Sequence, residues 1–337
     1  VVKGNHDAES QISRQLPALE GLHVFSSSNA ETIELPALEV AIHGRSFPNR
    51  AVNEDLVPAY PAAHAGWFNI GMLHTSLTGR DGHDDYAPTS VEVLASKGYD
   101  YFALGHVHAR EVVRESDPRI VYPGNLQGRW ARETGAKGCE LVTVTDAHIV
   151  DAQFVALDVV RWHLMRLDLS GVATLDALRR RFLGAALELV AGANEKLHAM
   201  RVILSGQTPL HQLEARQPGT LAATLQAATQ DFDDADLWIE QVRLNLRSPV
   251  DRAAAAARTD AIGEVARLVE DLLQDDEGLR TWITRQLADM GALPGSLAEL
   301  QAGAMTAQEL QALLADAEAT VLAQLAGDGK PSAGAAS

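Results

Sequence analysis

The chain has 337 residues, 46% of them apolar, a formal net charge of −17 and one cysteine, Cys139. That length suits two domains, or one large domain with a helical appendage. A single cysteine excludes a disulfide framework and fits a reducing cytoplasm, and the lack of any run of 18 apolar residues excludes a transmembrane helix. The acidic balance excludes broad electrostatic capture of nucleic acid, which needs basic surface to displace counterions. Basic residues cluster only locally, at Arg129, Arg132 and Lys137 and again at Arg161, Arg166, Arg179, Arg180 and Arg181, so phosphate contacts must be confined or metal-mediated.

In chain order, VVKGNHDAES (1–10) reads as a strand whose two valines feed Gly-Asn-His-Asp. Further β-rich runs follow at 22–26, 32–44, 68–74, 99–105, 119–122, 139–144 and 148–155, most of them bounded by Gly, Pro, Ser or Asn. Between FNIGMLH and YDYFALG, the segment APTSVEVLASKG predicts a helix with Thr89 as N-cap, Glu92 completing a capping box and Gly98 as the stop. This strand, helix, strand passage carries His74 and the string Gly105-His106-Val107-His108 to one edge of a mixed α/β layer.

From about 158 the pattern becomes strand (161–169), helix (174–190), strand (199–205), helical stretch (209–230) and strand (237–246), a small α+β unit. Beyond Pro249 only helical signals occur. Ile262, Val265, Val269, Leu272 and Leu273 form one apolar stripe, and Leu279, Trp282, Ile283, Leu287 and Met290 another. The expected domains are therefore 1–157, 158–247, a helical region over 248–325 and a disordered tail over 326–337.

Asn5, His6, Asp7, His74, His106 and His108 each follow an apolar β-like run. Imidazole nitrogen with amide or carboxylate oxygen is a ligand set for Mn, Fe, Zn or Ni. In an extended His-x-His both rings point to one face, so one strand end can address two metals. Two such ions, roughly 3.5–4 Å apart, activate water and clamp a phosphoryl group.

The order GNHD, strand-His, GHxH resembles the calcineurin-like metallophosphoesterase superfamily. GNHDAES, FNIGMLHTSLTGRDGHDDYAP, GYDYFALGHVHAREV and IVYPGNLQGRWARETGAKGCELVTV are similar to bacterial DNA repair exonucleases of the SbcD type, in their YhaO-like branch. The likeness is dense over residues 1 to about 160 and looser from 160 to 300. It implies a layered β-sandwich flanked by helices, a small α+β capping domain that shapes access of DNA, and a helical C-terminal tail. It also implies Mn-dependent hydrolysis of a phosphodiester. Asn5, His74 and His106 would hold one divalent ion and His108 would belong to a second; His6 would serve as acid or electrostatic partner at the leaving oxygen, with Asp7 orienting it. The implied partners are DNA, a coiled-coil ATPase of the SbcC type and a second copy of the chain.

That superfamily also carries an Asp-x-His strand and a Gly-Asp strand ahead of GNHD, so the chain is expected to be a fragment starting at the third motif, with activity in doubt as it stands. Substrate contacts are expected from His83, on a polar loop with Asp84 and Asp85, and from Asn125, Gln127 and Arg129 in PGNLQGRW. Two rival readings stand beside this one: a small-molecule phosphodiesterase or phosphatase on the same fold, which the acidic charge favours, and a catalytically incomplete binding subunit.

Overall fold

The structure, a computed structural model, describes residues 1–8, 20–77, 86–193, 195–248, 252–289 and 305–328. The loop carrying His83 lies outside those residues, as do Met290 and residues 329–337 of the expected tail. The chain forms two compact units, one ending at His163 and the other beginning at Leu164.

In the first unit β1 (Glu31–Leu35), β2 (Val40–Gly44), β3 (Phe68–His74), β4 (Tyr101–Gly105), β5 (Glu111–Arg114) and β6 (Arg119–Tyr122) build one sheet in the order β1-β2-β3-β4-β6-β5. The inner strands β2, β3, β4 and β6 run parallel, and antiparallel β1 and β5 form the edges. Inner strands read as apolar runs because both faces of the sheet are covered. Phe102 and Leu104 of β4, with Ile120 and Tyr122 of β6, enter a core with Phe47, Leu56, Tyr60 and Leu94. Tyr101 and Val121, one residue out of phase, join Phe68 on the other face. There the antiparallel hairpin of β7 (Gly138–Thr145) and β8 (His148–Ala156) packs through Val142, Val144 and Ile149. The fold class is thus the layered α/β arrangement that the sequence predicts.

Helix α1 (Val91–Ala95) is the crossover that lets β3 and β4 run parallel. Its cap is Ser90 rather than Thr89: Ser90 takes extended φ −118° and ψ 161°, and its Oγ accepts the Val93 N–H at 3.3 Å. Thr89 is buried and its hydroxyl donates to Asp55 Oδ2 at 3.0 Å, which removes it from the helix end. Residues 1–4 and 22–26 lie outside any strand, in contrast to the sequence prediction. They are tied by separate bonds, Phe25 N–H to Val1 O and Phe47 N–H to Lys3 O, both 2.9 Å, rather than by a continuous ladder.

β9 (Val160–Asp168), whose residues from Leu164 on belong to the second unit, forms a sheet with β10 (Leu197–Gln207) and β11 (Asp236–Arg247), ordered β11-β10-β9. Helix α2 (Leu175–Val190), capped by Thr174, and α4 (Thr220–Gln230) bury Leu178, Phe182, Leu221 and Leu225 against Met200 and Leu204 of β10. The helical stretch predicted over 209–230 is two helices, α3 (Leu210–Arg216) and α4, because Pro218-Gly219 interrupts it with Gly219 at φ +89°. After a short α5 (Arg252–Ala256) come α6 (Ala261–Leu273), α7 (Asp276–Asp289) and α8 (Ala307–Asp328). The apolar stripes of α6 and α7 meet each other and α8 through Val269, Leu279, Ile283, Leu310 and Leu314. Residues 326–328, expected in the disordered tail, are the last of α8.

The hairpin is also fixed to the large sheet by charge. Glu140 on β7, with its side chain 2% exposed, accepts from Arg119 Nη2 at 2.5 Å and from Arg110 Nη2 at 2.9 Å. Removing one partner of a buried pair leaves the other desolvated and uncompensated. Glu140→Ala should therefore destabilise the first unit by about 3 kcal/mol, read as a lower urea midpoint of its unfolding. An unchanged midpoint would contradict this role.

Candidate metal centre

The parallel pairing of β3 and β4 puts His74 in register with Gly105, and the Thr75 N–H closes the end of the pair on Gly105 O at 3.2 Å. The His74 ring then lies between two glycines. A Cβ on Gly4 would stand 2.3–2.7 Å from three of its ring atoms, and one on Gly105 would stand 3.0 Å from Nδ1. Gly4 and Gly105, which open the GNHD and GHVH strings, are therefore small because an imidazole fills the space between them. Buried Asn5 follows Gly4, and its Oδ1 sits 3.1 Å from His74 Nε2. His106 follows Gly105 at φ +103°, a conformation that costs a non-glycine residue about 1–3 kcal/mol. That backbone turns its ring edge-on to His74, centroids 5.3 Å apart, with Tyr86 at 5.4 Å on its other side and the His106 Nε2 buried.

Burial, with His106 as the next cause, pushes the His74 imidazolium down to a pKa of about 4. His6 and His108 push the same way and Asp7 pulls against them, so all of these groups act on one ring. His6 and Asp7 are exposed on a tight turn in which the Asp7 and Ala8 amides donate to Gly4 O at 3.1 Å. The neutral imidazole that results is the protonation state that binds a metal ion.

His108 is held from outside this group. Its Nδ1 lies 2.6 Å from Oε1 of Glu133, a residue only 8% exposed that the sequence reading did not single out. Glu133 Oε2 accepts from Asn125 Nδ2 at 3.0 Å and from the Arg129 N–H at 2.9 Å. Burial works to raise the Glu133 carboxyl, but the Arg129 amide and the His108 ring hold it below the usual carboxylate range. A carboxylate on the far nitrogen of a histidine fixes its orientation and raises its basicity as a ligand. Asn125 and Arg129 are thus gathered around Glu133, with the Arg129 side chain left 71% exposed. Gln127 is engaged elsewhere: its Oε1 accepts from the Val159 and Val160 N–H groups, and its Nε2 donates to Val160 O at 2.6 Å. The pairing across 25 residues left no local pattern; the only signal for Glu133 was one acidic residue inside the basic string RWARETGAK.

Among the described residues no group of three or more His, Cys, Asp and Glu side chains is set to hold a metal ion. The donors that do converge are two imidazoles and one amide oxygen, and their chemistry fits a divalent cation of borderline softness. His43 shows the contrast. It also closes an apolar run, one residue before the end of β2, but it is fully buried, its nitrogens are 2.8 Å from Thr32 Oγ1 and 3.2 Å from Asn69 Oδ1, and its ring stacks on Tyr99.

A depressed histidine pKa links stability to pH. In chelator, between about pH 6.5 and 4 the unfolded chain binds a proton at this position that folded His74 refuses. Folding stability should fall as pH drops through that window, and His74→Asn should flatten the dependence. Equal slopes for both proteins in denaturant titrations would contradict the assignment.

The calcineurin-like phosphoesterase superfamily domain matches residues 1–147, and the middle domain of metallophosphoesterase YhaO matches residues 162–247. The chain is 32% identical over 254 residues to the uncharacterized metallophosphoesterase YhaO of Bacillus subtilis (strain 168), an alignment covering 73% of this chain and 60% of the length of that relative. Residues 1–147 thus match the domain of the calcineurin-like metallophosphoesterase superfamily, whose members are phosphoester hydrolases that typically use divalent metal ions.

Proposed function

We propose that the protein is a metal-dependent phosphodiesterase acting on DNA, a repair exonuclease of the SbcD type. The observation that carries the reading is the meeting of Asn5 Oδ1 and the His106 ring with the His74 ring at the carboxyl ends of parallel β3 and β4, with the charges of His6, Asp7 and His108 acting on that ring. In this reading Asn5, His74 and His106 hold one divalent ion, Mn in the working enzyme, and His108 belongs to a second. When bound, the two ions supply Lewis acidity at the phosphoryl oxygens and activate water.

The protein's own part is positioning and proton handling. Gly4 and Gly105 fix His74, the Glu133 carboxylate orients His108, and exposed His6 stands free of the buried donors, where an imidazole can give a proton to the leaving oxygen. Asp7 supplies negative charge next to it. Asn125 and Arg129 flank the same loop, where Arg129 extends toward solvent as a phosphate contact.

An SbcC-type ATPase, self-association and a cytoplasmic setting belong to this proposal through the resemblance to SbcD-type exonucleases. Among the described residues no helix is long and apolar enough to cross a membrane. Because the apolar stripes of α6 and α7 already meet α8, an ATPase would on this reading have to use other faces of those helices.

His106→Ala should lose both metal and turnover. His6→Ala should keep near-normal metal content while Mn-dependent cleavage of a DNA oligonucleotide falls roughly 10²–10⁴-fold. Metal content by elemental analysis beside the cleavage rate separates the two, and equal loss of metal in both variants would make His6 a ligand instead.

A further inference from the structure

Trp130 sits on the loop that carries Glu133, yet its side chain stays 45% exposed. The loop is firmly braced. Glu133 N–H donates to Trp130 O at 2.9 Å, the Arg129 N–H donates to the Glu133 carboxylate, and the Gln127 amide is tied to Val159 and Val160. Trp162 Nε1 donates to Gly128 O at 2.9 Å, which gives the neighbouring indole a structural task that Trp130 does not share. Arg132 places its guanidinium carbon 4.9 Å from the Trp130 ring centroid, and the neighbouring Arg129, with its side chain 71% exposed, keeps its Nη2 3.7 Å from Glu133 Oε1. A large ring kept partly in water on a rigid loop, with one guanidinium over it and a second carried by the adjacent residue, is the composition of a stacking site. The loop is joined by hydrogen bonds to the candidate centre, from Trp130 O to Glu133 N and from Glu133 Oε1 to His108 Nδ1.

We propose that Trp130, with Arg129 and Arg132, is a stacking platform for unpaired nucleobases of a single-stranded DNA end entering beside His108. The inference rests on the nuclease reading and sharpens its substrate to single-stranded ends. It also answers the charge problem: a chain of net charge −17 has little long-range attraction for a polyanion, and base stacking supplies affinity that needs no basic field. The two arginines meet phosphates locally.

The test is equilibrium binding in EDTA, by fluorescence anisotropy, of a labelled oligo(dT) and an abasic strand of the same length and charge. Wild type should bind oligo(dT) more tightly. Trp130→Ala should weaken oligo(dT) binding roughly 5- to 150-fold and bring it level with the abasic strand, and Trp130→Phe should restore most of the difference. Circular dichroism melts confirm that the variants fold. A wild type without base preference, or a Trp130→Ala protein that keeps it, overturns the platform. So does a changed sedimentation coefficient with base preference intact, which would assign this face to a second copy of the chain. Mn-dependent hydrolysis of oligonucleotides by the wild type, run in parallel, reports on the nuclease reading alone: cleavage without base preference sinks only the platform, whereas hydrolysis of small diesters but no oligonucleotide sinks the parent reading.

Discussion

The seating of the His74 imidazole between two glycines is the constraint on which the rest of the site depends. β3 must end opposite Gly105, Gly4 must approach from a segment outside the sheet, and a Cβ would overlap the ring at Gly4 and crowd it at Gly105. Once the ring is seated, Asn5 meets its Nε2, His106 is turned edge-on by a strained backbone, and burial keeps the ring neutral. The strained backbone of His106 and the burial of a neutral imidazole cost local stability, and the apolar inner sheet offsets that cost. The layered core on both faces of β4 and β6 is therefore the rigid support of the chemistry as well as the source of folding energy.

A second layer of organisation lies around Glu133. One buried carboxylate holds His108, Asn125 and the backbone of Arg129, so the loop after β6 and the string after β4 behave as one piece. Changes in that loop should reach the candidate centre without touching His74. The same coupling puts Trp130 beside the centre, and it gives a physical reason for the loop to be braced by Gln127 and Trp162 rather than left mobile.

Much of this was legible in the sequence, because inner parallel strands are short apolar runs and polar residues at their carboxyl ends stand out. FNIGMLH and YDYFALG announced β3 and β4, and the crossover between them fixed their parallel sense. What stayed hidden depended on tertiary context. Thr89 resembles an N-cap locally, but Asp55 takes its hydroxyl. VVKG has strand composition yet finds no continuous partner ladder. His43 and His74 both close apolar runs, but His43 lies one residue inside the end of β2, and Thr32, Asn69 and Tyr99 satisfy it as a core residue. Glu133 could be recognised only by what it touches.

In the proposed centre Asn5, His74 and His106 face a single cation. Crystals of the protein soaked in Mn, with anomalous difference maps collected at the Mn edge, test it most directly. A peak is expected within bonding distance of Asn5 Oδ1, His74 Nε2 and a His106 ring nitrogen, with the His74–Asn5 hydrogen bond replaced. A map with no peak there, and that hydrogen bond intact at saturating Mn, would contradict it.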